Sequence, residues 1–300
     1  MKTKPVAILV VLTVISCAPF ASAHPGSALV IDQQTNVYFA YWGGTWKLDL
    51  TGKLTRIHSN DFHWLAIDLT GRFAKTETPF LRITPHDAAP TLFSFSDCPA
   101  TFHTDGNLYL APWAPGRIRL ERMTVDGAKI RFVDAAISPN VARKSGRHEG
   151  GLLAIASGAN QFLYVSDGAS IWKITERGMI STLAENITVS DCPNDLPAEL
   201  PKPHIRGLAL GTDDDLFAAA IGCRCVLRIT PSGKISVALR SEAPWSPCAV
   251  AVAKGDLYVM EYDNPLAEWP HEGRPRFRKL TADGRVTTLA VMEKAAPKQQ

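Results

Sequence analysis

The chain has 300 residues, 46% of them apolar and 20% charged, with a formal net charge of +3. This is the composition of a globular protein with enough apolar residues for a large core. The charge is small and forms no like-sign block, which argues against nucleic acid or a membrane surface as a partner.

At the N-terminus, Lys2 and Lys4 precede an apolar run from Val6 to Ile15, and Ala21-Ser22-Ala23 supplies small residues for cleavage. Residues 1–23 therefore read as a secretory signal peptide, too short to cross a bilayer as a helix. Val14-Ile15-Ser16-Cys17 also fits a bacterial lipoprotein box, which would instead leave a lipid anchor on Cys17. Either route predicts an exported protein, periplasmic or extracellular, with no transmembrane segment; a monomer is expected. Residues 24–292 are read as one domain and 293–300 as a flexible tail.

From Ser27 onward the chain repeats one unit six times. Each copy runs apolar strand, Gly/Asp turn, aromatic-bearing strand, loop, strand, Gly turn, strand. The copies begin at Ser27, His63, Ala100, Gly151, Gly207 and Cys248, and Tyr38, Phe73, Tyr109, Tyr164, Phe217 and Tyr258 mark their second strands. A spacing of roughly 44 residues lies in the range of four-stranded propeller blades. The predicted fold is all-β, a six-bladed β-propeller of four-stranded antiparallel blades.

GDLYVMEYDN followed by KLTADGRVTTLA, together with SIWKITERGMISTLA, resembles the NHL-repeat and gluconolactonase/regucalcin-like six-bladed propellers across nearly the whole mature chain. The resemblance implies the fold. It also implies an alternative activity, a metal-assisted lactonase, hydrolase or lyase at the channel mouth. In that family the residue beside the glycine that enters each blade supplies metal ligands, with Glu in an E-G-P motif and Asn or Asp elsewhere. Here Glu149-Gly150-Gly151 approximates E-G-P, while blades two and five hold His63 and Arg206 at the comparable slots. A third reading is a protein-interaction scaffold.

Three long insertions, Val133 to Gly150, Glu185 to Arg206 and Asn264 to Pro275, fall in loops that a propeller gathers on one face. Such a face is where a repeat protein binds a small-molecule or polymeric ligand. Aligning the first strands places Asp61, Asp97, Glu149 and His204 at equivalent positions of four successive blades. Three carboxylates suit a hard cation such as calcium, and the histidine moves the preference toward zinc. No cofactor is otherwise indicated. His63 and Arg206 are candidates for an anionic or hydroxylated ligand, since guanidinium matches carboxylates with paired hydrogen bonds. Trp42 and Trp113, with Tyr41, Trp245 and Trp269, are expected at the rim, where aromatic faces stack on sugars and other flat ligands.

Export favours disulfides. Of the cysteines beyond the signal segment, Cys192, Cys223, Cys225 and Cys248 fall close together and are expected to form two bridges that pin the loop entering blade five. Their pairing is left open by the sequence. No G-x-S-x-G, H-E-x-x-H or phosphate-binding glycine loop occurs.

Overall fold

Successive side chains of a strand point to opposite faces, and here both faces are apolar, so every sheet needs a neighbour on each side. The structure, a computed structural model, describes residues 29–41, 44–59, 64–84, 90–95, 98–137, 151–198, 200–264 and 273–293. Blade one comprises β1 (Leu29–Ile31), β2 (Val37–Ala40), β3 (Thr45–Leu48) and β4 (Leu54–His58). Blade two holds β5 (Trp64–Asp68), β6 (Leu81–Arg82) and β7 (Thr91–Phe95). Blade three follows with β8 (Ala100–Phe102), β9 (Leu108–Leu110), β10 (Arg117–Met123) and β11 (Lys129–Ala136). Blade four has β12 (Ala154–Ser157), β13 (Leu163–Ser166), β14 (Ile171–Ile174) and β15 (Ile180–Ala184). Blade five has β16 (Ile205–Leu210), β17 (Leu216–Ala220), β18 (Cys225–Ile229) and β19 (Ile235–Arg240). Blade six closes the ring with β20 (Ser246–Ala253), β21 (Asp256–Tyr262), β22 (Pro275–Leu280) and β23 (Val286–Val291).

Five blades are antiparallel meanders. Among the described residues the helical content is one 3-10 turn, Ile221–Cys223, and no helix is long and apolar enough to cross a membrane. The buried apolar residues fall into six clusters, one at each junction between successive blades. Phe39, for example, faces blade six, where its ring lies 4.3 Å from that of Phe277, while its neighbours Tyr38 and Ala40 pack on Leu65 and Leu92 of blade two. That alternation is how a sheet apolar on both faces buries both. Each blade takes its described strands from one contiguous stretch, so the ring closes through the cluster between blades six and one.

Blade two departs from the repeat. Its inner strand β5 pairs with β7, and β6 lies outside β7. Phe73, expected to mark the second strand, sits in a turn, where Asp68 accepts its N–H at 2.8 Å. Phe93 takes its place, opposite Ala66. Asp68 also holds Thr70, so the side chain of the turn outcompetes strand pairing just where the second strand was expected. Phe73 remains fully buried against Phe102, 5.0 Å away, which explains why its apolar character misled the alignment. The expected insertion from Val133 is likewise shorter, because β11 continues to Ala136.

β1, β5, β8, β12, β16 and β20 form one edge of their sheets and surround the axis, lining a cavity of about 210 Å³. In an antiparallel meander the loop entering the first strand and the loop joining the second and third lie at one end, here termed the entry face.

Candidate functional site

The local sequence around Arg206 is shaped by a bulge. Ile205 pairs with Ala220 and Gly207 with Ala219, so Arg206 is left over between them. A bulge re-aims the side chain it carries, and Arg206 is among the residues that line the central cavity. Blade six repeats the device: Pro247 pairs with Glu261 and Ala249 with Met260, leaving Cys248 at the equivalent place.

Several contacts hold the chain that delivers Arg206. His204 adopts a left-handed conformation, φ 51°. Its carbonyl accepts the Ile221 N–H at 3.3 Å, and the Ile205 N–H goes to the Gly168 carbonyl at 2.8 Å. Gly222 donates to the Pro203 carbonyl at 2.9 Å. A Cβ at Gly222 would lie 2.0 Å from the Pro201 oxygen, so only glycine permits this approach. Cys192 is bonded to Cys223, tying the loop to the turn between β17 and β18. Arg224 adds Nη1 contacts of 2.7 Å to both carboxylate oxygens of Asp195. Leu196 and Leu200 of the same loop are buried with Tyr41 and Tyr262 in the cluster between blades six and one. The loop is therefore a strap fixed beside the channel mouth.

One bridge forms where two were expected. Cys225 and Cys248 stand as buried thiols because they belong to different inter-blade cores, Cys225 between blades four and five and Cys248 between blades six and one. The Cys192–Cys223 bridge spans a sequence separation of 31, for which loop-closure entropy gives about 3–4 kcal/mol. Urea unfolding of a Cys192→Ser, Cys223→Ser double variant is expected to show that loss against the oxidised wild type. A difference under about 1 kcal/mol would mean that the strap is held by its other contacts alone.

Arg206 is only 8% exposed. Its Nε donates to His204 Nε2 at 3.1 Å. Burial pulls the guanidinium pKa down to about 10, opposed weakly by the nearby Cys248, so the group still carries its charge at neutral pH. Among the described residues no carboxylate pairs with it. In the adjoining blade the Ser246 and Tyr262 hydroxyls, opposite one another on β20 and β21, are buried without a hydrogen-bond partner among the described residues.

Of the expected ligand-binding residues, Arg206 lies in the channel wall, whereas His63 and Trp42 fall outside the described residues. Trp113 is 51% exposed and packs close to Gly151, off the cavity lining. Tyr41 is a correction: it is buried, with its hydroxyl donated to the Gly273 carbonyl at 3.0 Å. Trp245 lies beneath Arg276, whose guanidinium carbon is 4.5 Å from the ring centroid. Trp269 is outside the described residues.

Asp61, Asp97 and Glu149 also lie outside the described residues, and among those described no group of three or more His, Cys, Asp or Glu side chains could hold a metal ion. His204 fits a metal poorly. Its Nε2 lone pair receives the Arg206 N–H, which leaves the ring proton on Nδ1, and a cation there would adjoin a guanidinium. The sequence signal for this pairing was the i, i+2 spacing of His204 and Arg206 at a blade entrance; the bulge that joins them left no mark.

Fold and channel together define a six-bladed β-propeller with a cationic group at the entry end of its axis. No family pattern matches the chain, and no curated protein sequence does. Among solved structures it is similar to virginiamycin B lyase from Staphylococcus aureus, at 19% identity over 89% of this chain and 84% of that one, with a TM-score of 0.52. The nidogen/laminin complex gives a TM-score of 0.56 at 13% identity, covering 86% and 93% of the two chains. A putative gluconolactonase gives 0.52 at 15% identity, covering 77% and 83%. Three such different proteins on one scaffold identify the fold, and the fold alone.

Proposed function

We propose that the protein is an exported propeller that binds a small anionic ligand at the entry end of its central channel, with Arg206 as counter-ion. The observation that carries this reading is a buried guanidinium in the channel wall with no carboxylate partner among the described residues. An uncompensated buried charge is costly to a fold, and it persists where a ligand supplies the opposite charge. The strap with its disulfide fits the oxidising environment that export provides. A cavity of about 210 Å³ lies below the roughly 300–1,000 Å³ of pockets for drug-sized molecules, which favours a small ligand or one end of an extended one.

The resemblance to gluconolactonase-like propellers raises a metal-assisted reaction as the alternative. Its ligand set rests on Asp61, Asp97 and Glu149, since His204 is turned to Arg206. Calorimetric titration with acetate, lactate, gluconate, phosphate and sulfate tests the binding reading, with and without added calcium or zinc. Tight binding without metal, weakened about 10–100-fold in Arg206→Gln, is expected from the loss of charged hydrogen bonds. Binding that requires metal and survives Arg206→Gln would overturn it.

A further inference from the structure

At the end of the channel opposite Arg206, the turn after β8 sets His103 against Ser157, the last residue of β12. His103 Nδ1 lies 2.5 Å from Ser157 Oγ. Ser157 belongs to the cavity wall and is partly exposed, whereas the imidazole behind it is buried, edge-on to Tyr109 with centroids 5.5 Å apart. The ring also makes a backbone hydrogen bond with Gln161. In the tautomer that carries its proton on Nε2, the Nδ1 lone pair is turned to the serine hydroxyl. Burial holds the imidazole below its ordinary pKa, so the ring is a neutral base at physiological pH.

Two further features suit this pair to chemistry rather than to a clip between blades. Ser157 lines the central cavity and is partly exposed, so the pair adjoins open space. In addition, β12 is an edge strand of its sheet, so its outward N–H groups have no strand partner. Such donors are what a developing oxyanion needs.

We propose that Ser157 is a nucleophile activated by His103, and that the pair cleaves esters of short acyl groups within the channel. Ser157 Oγ bonds to the ester carbonyl carbon as its proton passes to His103 Nδ1. The tetrahedral adduct collapses, the C–O bond to the leaving alcohol breaks, and that alcohol takes the proton from His103. Water then attacks the acyl-serine and gives a proton to His103, which returns it to Ser157 Oγ as the carboxylic acid departs. No group outside the chain, the ester and water is required, and Arg206 takes no part.

The test is covalent labelling of the purified full chain with diisopropyl fluorophosphate, read by intact mass and peptide mapping. One adduct per chain, on Ser157, is expected; it should be absent in Ser157→Ala and form at least about 100-fold more slowly in His103→Gln. No adduct on folded protein, an adduct elsewhere, or an unchanged rate in His103→Gln would overturn the proposal. His103 is buried, and should His103→Gln not fold, Ser157→Cys keeps the base in place. Its alkylation by iodoacetamide at neutral pH should outpace that of an unassisted thiol about tenfold, and a rate no faster would sink the assignment.

Discussion

Replacing Glu261 by Gln is expected to lower the unfolding free energy by about 3–5 kcal/mol, the scale for removing one partner of a buried ion pair. Glu261 is fully buried, and its carboxylate serves two arginines whose side chains are each 8% exposed. Oε2 accepts from Arg276 Nε at 2.6 Å and Oε1 from Arg278 Nη2 at 2.7 Å, while Ser241 donates its hydroxyl to the same carboxylate. Glutamine keeps the shape but removes the charge, and its amide N–H groups would face donors. Two buried cations would then depend on Glu242, whose side chain is 62% exposed and which pairs with Arg276 from the surface. Glu242→Gln should therefore cost less than about 1 kcal/mol. Urea unfolding of both variants makes the comparison. Near-equal losses would show that the arginines are held by packing, including the Trp245 ring against Arg276, and not by the buried carboxylate.

That network illustrates what could be read from the chain and what could not. Strand alternation and the second-strand aromatics made six blades legible, because those signals follow from local pleat geometry and recur in each repeat. Tyr38, Tyr109, Tyr164, Phe217 and Tyr258 all sit on second strands. Phe73 failed because one side chain, Asp68, redirected the backbone. Glu261 and Arg276 are directly opposed on β21 and β22, yet an insertion between them hides that register from a linear reading. The bulge at Arg206 inserts one residue without any compositional cue, so the sequence placed Arg206 near the mouth without showing that it is buried and joined to His204. His103 and Ser157 are 54 residues apart and meet only through the turns of adjacent blades, a contact that no spacing motif reports.

Arg206→Met is expected to leave the fold as stable as before, or more stable by about 1–2 kcal/mol, while removing anion binding. Two terms of opposite sign decide this. Burial lowers the Arg206 pKa from its ordinary value to about 10, which corresponds to a penalty of about 3 kcal/mol for holding the charge in place. The sign follows from proton binding: the unfolded chain holds the proton more tightly than the folded one, so the penalty is full below pH 10 and is relieved only as pH climbs from there toward the ordinary arginine value. Methionine removes it at neutral pH and fills similar apolar volume. Against this, the buried His204 loses the N–H it accepts from Arg206, at about 1–3 kcal/mol for an orphaned polar atom. The first term is equal or larger, and replacement of buried charges by apolar groups is often neutral or stabilising on the same scale. Urea unfolding at pH 7 gives the sign. A loss greater than about 2 kcal/mol would mean that Arg206 anchors the strap instead of awaiting a ligand, and the anion-binding reading would fall with it. A gain in stability alongside lost affinity is the signature of a residue kept for binding at the expense of the fold.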